Sequence, residues 1–205
     1  MLDVLKHPEL FPDKEDPKKG AFIDCPAGWG CQLANANLFR AFEMEKKGWK
    51  LIDPGSAAGL DGSMTKAVER DKNWFGYYWS PTAMIGKHKM VKLDFGVPYG
   101  GDKNWNDCIS KSEQDCADPK VSSWSKSEVQ TVITDKFKKK AGDDVLAYLK
   151  KRVYPDELMN TMLVYMADEQ ADGETAANTF LSKHGELWET WVSKEVAEKV
   201  KKSLK

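Results

Sequence analysis

The sequence predicts an α/β fold, and three observations support this prediction. Apolar runs of strand length alternate with helical patterns through residues 1–94. A glycine-rich turn at residues 24–31 joins the first apolar run to the first helical pattern. The chain of 205 residues is also long enough to bury a core, and it suits one large domain or two small lobes. We therefore expect a complete α/β lobe over residues 1–94, and a hinge loop with the C-terminal helical part of the other lobe over residues 95–205.

Four strands and three helices are predicted in the first lobe. The strands cover residues 21–23, 49–54, 73–79 and 90–94, and the helices cover residues 32–47, 56–70 and 82–87. Aromatic residues fill nearly every position of the third strand. Alternation places Phe75, Tyr77 and Trp79 on one face of this strand, and Trp74 and Tyr78 on the other. Both faces must therefore be covered by other elements or used for binding.

Trp79 is the last residue of this aromatic strand. Ser80 and Pro81 follow it as a predicted N-cap and first-turn proline of the next helix. Because α/β sheets place ligand-binding side chains where strands end and helices begin, Trp79 is a candidate binding residue.

The second half of the chain is mainly helical. After a long irregular loop at residues 96–123, we expect one strand and four helices, at residues 127–137, 143–153, 155–168, 174–192 and 193–204. Their methionine and tryptophan stripes have the spacing of core residues, so Trp188 and Trp191 are expected to be buried, as is Trp49. Four helices and one strand leave apolar faces uncovered. We therefore expect the second lobe to be incomplete, with part of its sheet supplied from elsewhere.

The turn at residues 24–31 is the candidate binding loop. A strand-to-helix turn directs backbone N–H groups at whatever lies above it, which suits an anion. Gly28 and Gly30 let the backbone approach a ligand closely. Trp29 lies between them, and its indole has few neighbouring side chains on which to pack. The loop thus offers donors to a negative group and an aromatic face to an apolar or cationic group.

The four cysteines form two close pairs, Cys25/Cys31 and Cys108/Cys116. Neither pair has the two-residue gap of zinc knuckles or thioredoxin-like redox sites, so two local disulfides are favoured over a metal site. Disulfides persist in oxidising compartments. We therefore expect an exported protein whose signal peptide is absent from this chain.

Charge and hydropathy exclude two classes of partner. The formal net charge is −1, and the basic run at residues 136–140 is interpreted as a solvated surface, so we expect no nucleic-acid binding. The mean hydropathy is −0.59 and no long apolar run occurs, so we expect no membrane-spanning segment.

The candidate loop and the end of the aromatic strand together resemble the periplasmic substrate-binding proteins of glycine betaine/proline ATP-binding cassette (ABC) transporters. Members of that family show a Cys-x-Pro-x-Gly-Trp-Gly-Cys loop and, further along the chain, an aromatic strand ending in Trp-Thr-Pro. The matching residues are Cys25, Gly28, Trp29, Gly30 and Cys31 in the first motif, and Trp79 and Pro81 in the second. Two departures are that Pro26 lies one position early and that Ser80 replaces the threonine.

The resemblance implies a periplasmic binding-protein-like type II fold with two lobes. It also implies that Trp29 and Trp79 are walls of an aromatic cage around a trimethylammonium group. Gly30 and Cys31 would donate backbone N–H groups to the ligand carboxylate, with Cys25–Cys31 as a disulfide. The expected function is that of a periplasmic solute-binding component, which passes glycine betaine or a related compatible solute such as proline betaine or choline to a membrane permease for osmoprotection. No cofactor is implied.

Two other function classes are alternatives to a solute-binding protein. An enzyme is not supported, because there is no nucleophile elbow or phosphate loop and because His7, His88 and His184 are scattered along the chain. No catalytic residue and no metal ligand is predicted. The second alternative is a ligand-sensing or scaffold module that keeps the fold without transport. This module is distinguished from a solute-binding component by whether Trp29 and Trp79 face one another or are buried in separate cores.

Overall fold

The computed structural model describes residues 1–204 and divides into two compact units. The first unit comprises Met1–Trp79 and His88–Lys126. The second comprises Ser80–Lys87 and the residues from Ser127 onward. Each unit therefore consists of two separate stretches of the chain. The division into lobes at residue 94 stays a prediction.

A parallel pair of strands lies at the centre of the first unit. β1 (Gly20–Ile23) pairs with β2 (Trp49–Ile52) in the register Gly20↔Trp49 to Ile23↔Ile52. The crossover between them contains helix α1 (Gly30–Ala41), and Gly48 adopts a left-handed conformation just before β2. Two of the predicted strands and the helix between them are therefore confirmed.

The aromatic segment at residues 73–79 meets β1 at one point only. Ile23 N–H donates to the Phe75 carbonyl and Tyr77 N–H donates to the Ile23 carbonyl, each at 2.9 Å. These bonds form a single parallel bridge between Ile23 and Gly76. The predicted third strand is thus reduced to a bridge. A side chain at Gly76 would lie 2.6 Å from the Ile23 carbonyl oxygen, so glycine is required for this close approach.

The remaining helices are as follows: α2 (Ala57–Glu69), α3 (Ala83–Lys87), α4 (Asp102–Asn104), α5 (Asp135–Lys140), α6 (Asp143–Lys151), α7 (Asp156–Asp168), α8 (Gly173–Lys183), α9 (Gly185–Trp188) and α10 (Lys194–Ser203). The predicted long helix at residues 174–192 is interrupted at His184, where the backbone leaves the helical region. Thr82, rather than the predicted Ser80, caps α3, because its hydroxyl accepts the Ile85 N–H at 3.1 Å.

Two predicted strands are wrong. Residues 90–94 form no strand, and their inward side chain Leu93 packs on the core of the first unit together with Phe95 and Val97. The alternation of apolar and polar residues here comes from an extended segment that packs on the core but has no neighbouring strand to pair with. Residues 127–137 form no strand either: Val129 and Val132 are 94% and 87% exposed, and the last three residues of this range belong to α5.

Each unit has its own apolar core. In the first unit Trp49 is fully buried, donates its indole N–H to the Leu5 carbonyl at 3.1 Å and contacts Phe75 edge to face at 5.2 Å. In the second unit Trp188 and Trp191 are buried with Phe180. The predictions of core positions for Trp49, Trp188 and Trp191 are confirmed.

The loop after residue 96 is ordered by bonds to α1. Asn37 is buried, and its side-chain N–H₂ group donates to the carbonyls of Cys108, Ile109 and Lys111. Arg40 donates to the carbonyls of Cys116 and Ala117. Part of the loop that was predicted to be irregular is helical: α4 continues directly into a wide helical turn at Trp105–Ile109.

The cysteines pair as the sequence predicts. Cys25 and Cys31 are bonded with a Cα–Cα distance of 6.2 Å, and Cys108 and Cys116 are bonded with a Cα–Cα distance of 4.5 Å. Both pairs lie in the first unit. Within residues 1–204, no helix combines the length and the apolar character needed to cross a membrane.

Candidate functional site

The candidate loop is closed on itself by short-range bonds. The Cys25–Cys31 disulfide spans it, the Trp29 N–H donates to the Pro26 carbonyl at 3.2 Å, and the Gly28 N–H donates to the Gln32 side chain at 3.2 Å. Gly28 has a φ of 86°, a conformation that an L side chain rarely adopts. These constraints leave the Trp29 indole outside the loop, where it is 37% exposed.

The N-terminus of α1 has no side-chain cap. Trp29 occupies the N-cap position and its side chain makes no capping hydrogen bond. In α2, by contrast, the Ser56 hydroxyl accepts the Gly59 N–H at 3.0 Å. Among residues 1–204, no acceptor is bonded to the Gly30 or Cys31 N–H. A Cβ added at Gly30 would meet nothing within 4 Å, so the space next to these two donors is open.

Trp29 and Trp79 lie side by side in the first unit. Their ring centroids are 5.3 Å apart and the ring planes meet at 69°. Trp79 is 38% exposed, as much as Trp29. The two indoles therefore pack edge to face and form a corner, and both rings keep exposed aromatic surface next to the start of α1.

Tyr78 stacks on Trp79. The two rings are 4.6 Å apart and nearly parallel, with an interplanar angle of 15°, and the Tyr78 hydroxyl donates to the Asp61 carboxylate of α2 at 2.6 Å. The predicted alternation, which places these two side chains on opposite faces, is wrong at this point. The bonds to β1 end at Tyr77, so the backbone beyond it is no longer held in the pleat.

A buried carboxylate lies beneath the loop. Asp24 is 4% exposed and accepts hydrogen bonds from the Cys25 N–H at 2.7 Å and the Asn35 side chain at 2.6 Å. Burial raises the pKa of the Asp24 carboxyl, and the negative charge of Asp53 acts in the same direction. Asp24 thus links the loop to α1 and is harder to ionise than an exposed aspartate.

One concave feature of the first unit was not predicted. It is a cleft of about 580 Å³, lined by Tyr99, Asp102, Trp105, Asn106, Ser123, Trp124, Ser125 and Lys126. Trp124 connects it to the aromatic segment, since its ring is 5.2 Å from that of Tyr77. The sequence does not predict this contact, because residues 77 and 124 are far apart along the chain and belong to separate elements.

The three histidines have other partners. His7 pairs with Glu9 at 3.0 Å, His88 lies 3.3 Å from the Thr65 hydroxyl, and His184 stacks on Phe180. The Cys108–Cys116 disulfide lies in the loop held by Asn37 and Arg40. Within residues 1–204, no three His, Cys, Asp or Glu side chains come together in an arrangement that holds a metal ion.

Comparison with known proteins gives one family-level finding. The family described as the substrate binding domain of ABC-type glycine betaine transport systems matches residues 1–183. No curated protein matches the chain.

Proposed function

The chain belongs to the family of substrate binding domains of ABC-type glycine betaine transport systems, and on that premise we propose that it binds a quaternary ammonium zwitterion such as glycine betaine at the corner formed by Trp29 and Trp79. The observation that carries this proposal is the contact of two exposed indoles beside two unpartnered N–H groups. Proline betaine and choline share the methylated cation and belong to the same class of candidate ligand.

The chemistry of such a ligand fits aromatic walls. A quaternary ammonium group has no N–H to donate, so a carboxylate partner would be desolvated without gaining a hydrogen bond. Indole faces attract the cation through their quadrupole when it lies within about 6 Å of the ring centroid. Because the centroids of Trp29 and Trp79 are 5.3 Å apart, one cation can satisfy this condition for both rings.

The carboxylate of a zwitterion fits the start of α1. The Gly30 and Cys31 N–H groups lie at the positive end of a helix of 12 residues and have no side-chain cap. Choline has no carboxylate and would leave these donors unused. We therefore expect zwitterions to bind more tightly than choline.

Family membership also defines the partner class. Substrate-binding proteins of this family are non-enzymatic transport components that work with an ABC permease, and they are generally extracellular or periplasmic. For this chain we propose delivery of the solute to such a permease from the periplasm, as part of osmoprotection. The two disulfides support an oxidising compartment.

Isothermal titration of the purified chain with glycine betaine and with glycine tests the proposal. The two ligands share the carboxylate and differ in the three methyl groups on nitrogen. We expect at least about ten-fold tighter binding of glycine betaine, because only the methylated cation can use the indole faces without losing hydrogen bonds to water. Equal affinities, or no binding of either ligand, would overturn the proposal and favour a scaffold module that keeps the fold without the ligand.

A further inference from the structure

We infer that Tyr78 is a positioning residue for the Trp79 wall and that Asp61 holds Tyr78 in place. This inference rests on the proposed function, because it concerns the orientation of one wall of the proposed site. It adds two residues, one on the aromatic segment and one on α2, which need no contact with the ligand.

Trp79 contacts the rings of Trp29 at 5.3 Å and Tyr77 at 6.5 Å, but the Tyr78 ring lies nearer and more nearly parallel to it. The backbone bonds to β1 end two residues earlier, at Tyr77, and the indole is 38% exposed. An exposed indole in such a position loses side-chain entropy when a ligand binds, unless a neighbour already restricts it. The Tyr78 ring, stacked at 4.6 Å, is such a neighbour.

Tyr78 is in turn held from a second element. Its hydroxyl donates to the Asp61 carboxylate at 2.6 Å, and Asp61 lies in the second turn of α2, a helix whose start is capped by Ser56. A hydrogen bond to an ionised acceptor is stronger than one between neutral groups. The rotamer of Tyr78 is therefore fixed by a regular helix as well as by the aromatic segment itself.

The stacking also determines which surface of Trp79 remains for a ligand. Because Tyr78 covers one face of the indole, a cation can approach only the opposite face or the ring edge. Trp29 meets Trp79 at 69°. Loss of the stack would let the Trp79 ring rotate and would open the corner.

The hydrogen bond can be removed without detaching the segment from α2. The neighbouring Trp74 donates its indole N–H to the Ser63 hydroxyl of the same helix at 2.9 Å. Tyr78→Phe keeps the ring and removes only the hydroxyl. This substitution therefore tests orientation and not the presence of the segment.

The chain offers a matched control. The Tyr99 hydroxyl donates to the Asp102 carboxylate at 2.9 Å in the same unit, so Tyr99→Phe removes the same kind of bond away from the Trp29 and Trp79 corner. At position 61, Asp61→Asn keeps an acceptor oxygen for the Tyr78 hydroxyl, whereas Asp61→Leu removes it.

The experiment measures dissociation constants for glycine betaine and for dimethylglycine by calorimetry, with melting temperatures for each variant. Tyr78→Phe and Asp61→Leu should each weaken glycine betaine binding about five-fold and reduce the preference for it over dimethylglycine. Asp61→Asn and Tyr99→Phe should stay within about two-fold of the parent. The double variant Tyr78→Phe/Asp61→Leu should bind no more weakly than either single variant, since both remove one interaction.

The outcomes separate this inference from the proposed function. A parent protein that does not prefer methylated ligands overturns the proposed function, whatever the variants do. A parent with that preference and a Tyr78→Phe variant that matches Tyr99→Phe overturns the positioning role. Equal losses in Asp61→Asn and Asp61→Leu, or a fall in melting temperature with an unchanged ligand preference, would also overturn it.

Discussion

Trp29 is the residue at which binding and stability can be separated most cleanly. Its indole is 37% exposed and lies between two glycines, so it contributes little to either core. Trp29→Ala should weaken glycine betaine binding by about 1–2 kcal/mol, while Trp29→Phe should keep part of the affinity. The melting temperature should change little. Calorimetry and thermal unfolding of the three proteins check this prediction. A Trp29→Ala variant that binds glycine betaine as well as the parent would show that Trp29 is not part of the binding site.

Asp24 gives the first unit a pH dependence with a defined sign. Burial raises the pKa of its carboxyl, so the folded state holds the proton more tightly than the unfolded state does. The stabilisation that this proton provides is fully present at low pH and is lost as the pH rises through the raised pKa. Asp24→Asn keeps an acceptor for the Cys25 N–H and the Asn35 side chain but cannot ionise. We therefore expect it to gain stability relative to the parent as the pH rises from about 4 to about 7.

Urea unfolding of both proteins across this pH range checks the prediction. The difference in free energy of unfolding should grow with pH in favour of Asp24→Asn. A difference that is constant with pH would show that Asp24 ionises at its ordinary pKa.

At the scale of elements, α1 has two functions in the first unit. Its N-terminus presents the open donors at Gly30 and Cys31, and its middle turns hold the loop that follows residue 96. The sequence predicted a helix at residues 32–47, and α1 ends earlier than that, at Ala41. The sequence did not indicate the role of Asn37, because an asparagine within a helix has no pattern that reveals three carbonyl partners more than 70 positions away.

Replacement of Asn37 tests this docking of the loop. The side-chain N–H₂ group donates to three carbonyl oxygens at 2.8–3.3 Å, so Asn37→Asp would place a carboxylate against acceptors. We expect a loss of at least about 3 kcal/mol in the free energy of unfolding. Asn178→Asp, which makes the same change at an exposed position of α8, should stay within about 0.5 kcal/mol. Similar urea midpoints for the two variants would contradict the docking role.

At the scale of the whole molecule, the sequence predicted the fold class better than the strands. The match over residues 1–183 confirms the type II binding-protein class, and burial confirms the tryptophans assigned to cores. The strands predicted at residues 90–94 and 127–137 failed because alternation does not show whether a hydrogen-bonded neighbour is present. The motifs predicted that Trp29 and Trp79 lie together, but Tyr78 and Asp61 could not be found this way. Their contact depends on where the strand pleat ends.

The two disulfides differ in position, and this gives a prediction for the molecule as a whole. Cys25–Cys31 encloses the loop that carries Trp29, whereas Cys108–Cys116 lies in the loop docked on α1. Removing either short cross-link should lower the free energy of unfolding by about 2 kcal/mol. Only the first change frees the backbone around Trp29 and the Cys31 N–H.

We therefore expect the Cys25→Ser/Cys31→Ser variant to lose stability and, in addition, to bind glycine betaine about ten-fold more weakly than the parent. The Cys108→Ser/Cys116→Ser variant is its matched control and should lose stability while keeping its affinity for the ligand at temperatures where it is folded. Thermal unfolding and calorimetry of both variants provide the measurement. Equal affinities in the two variants would mean that the loop is held by its hydrogen bonds alone, because the Trp29 and Gly28 N–H bonds would then be sufficient to keep its conformation.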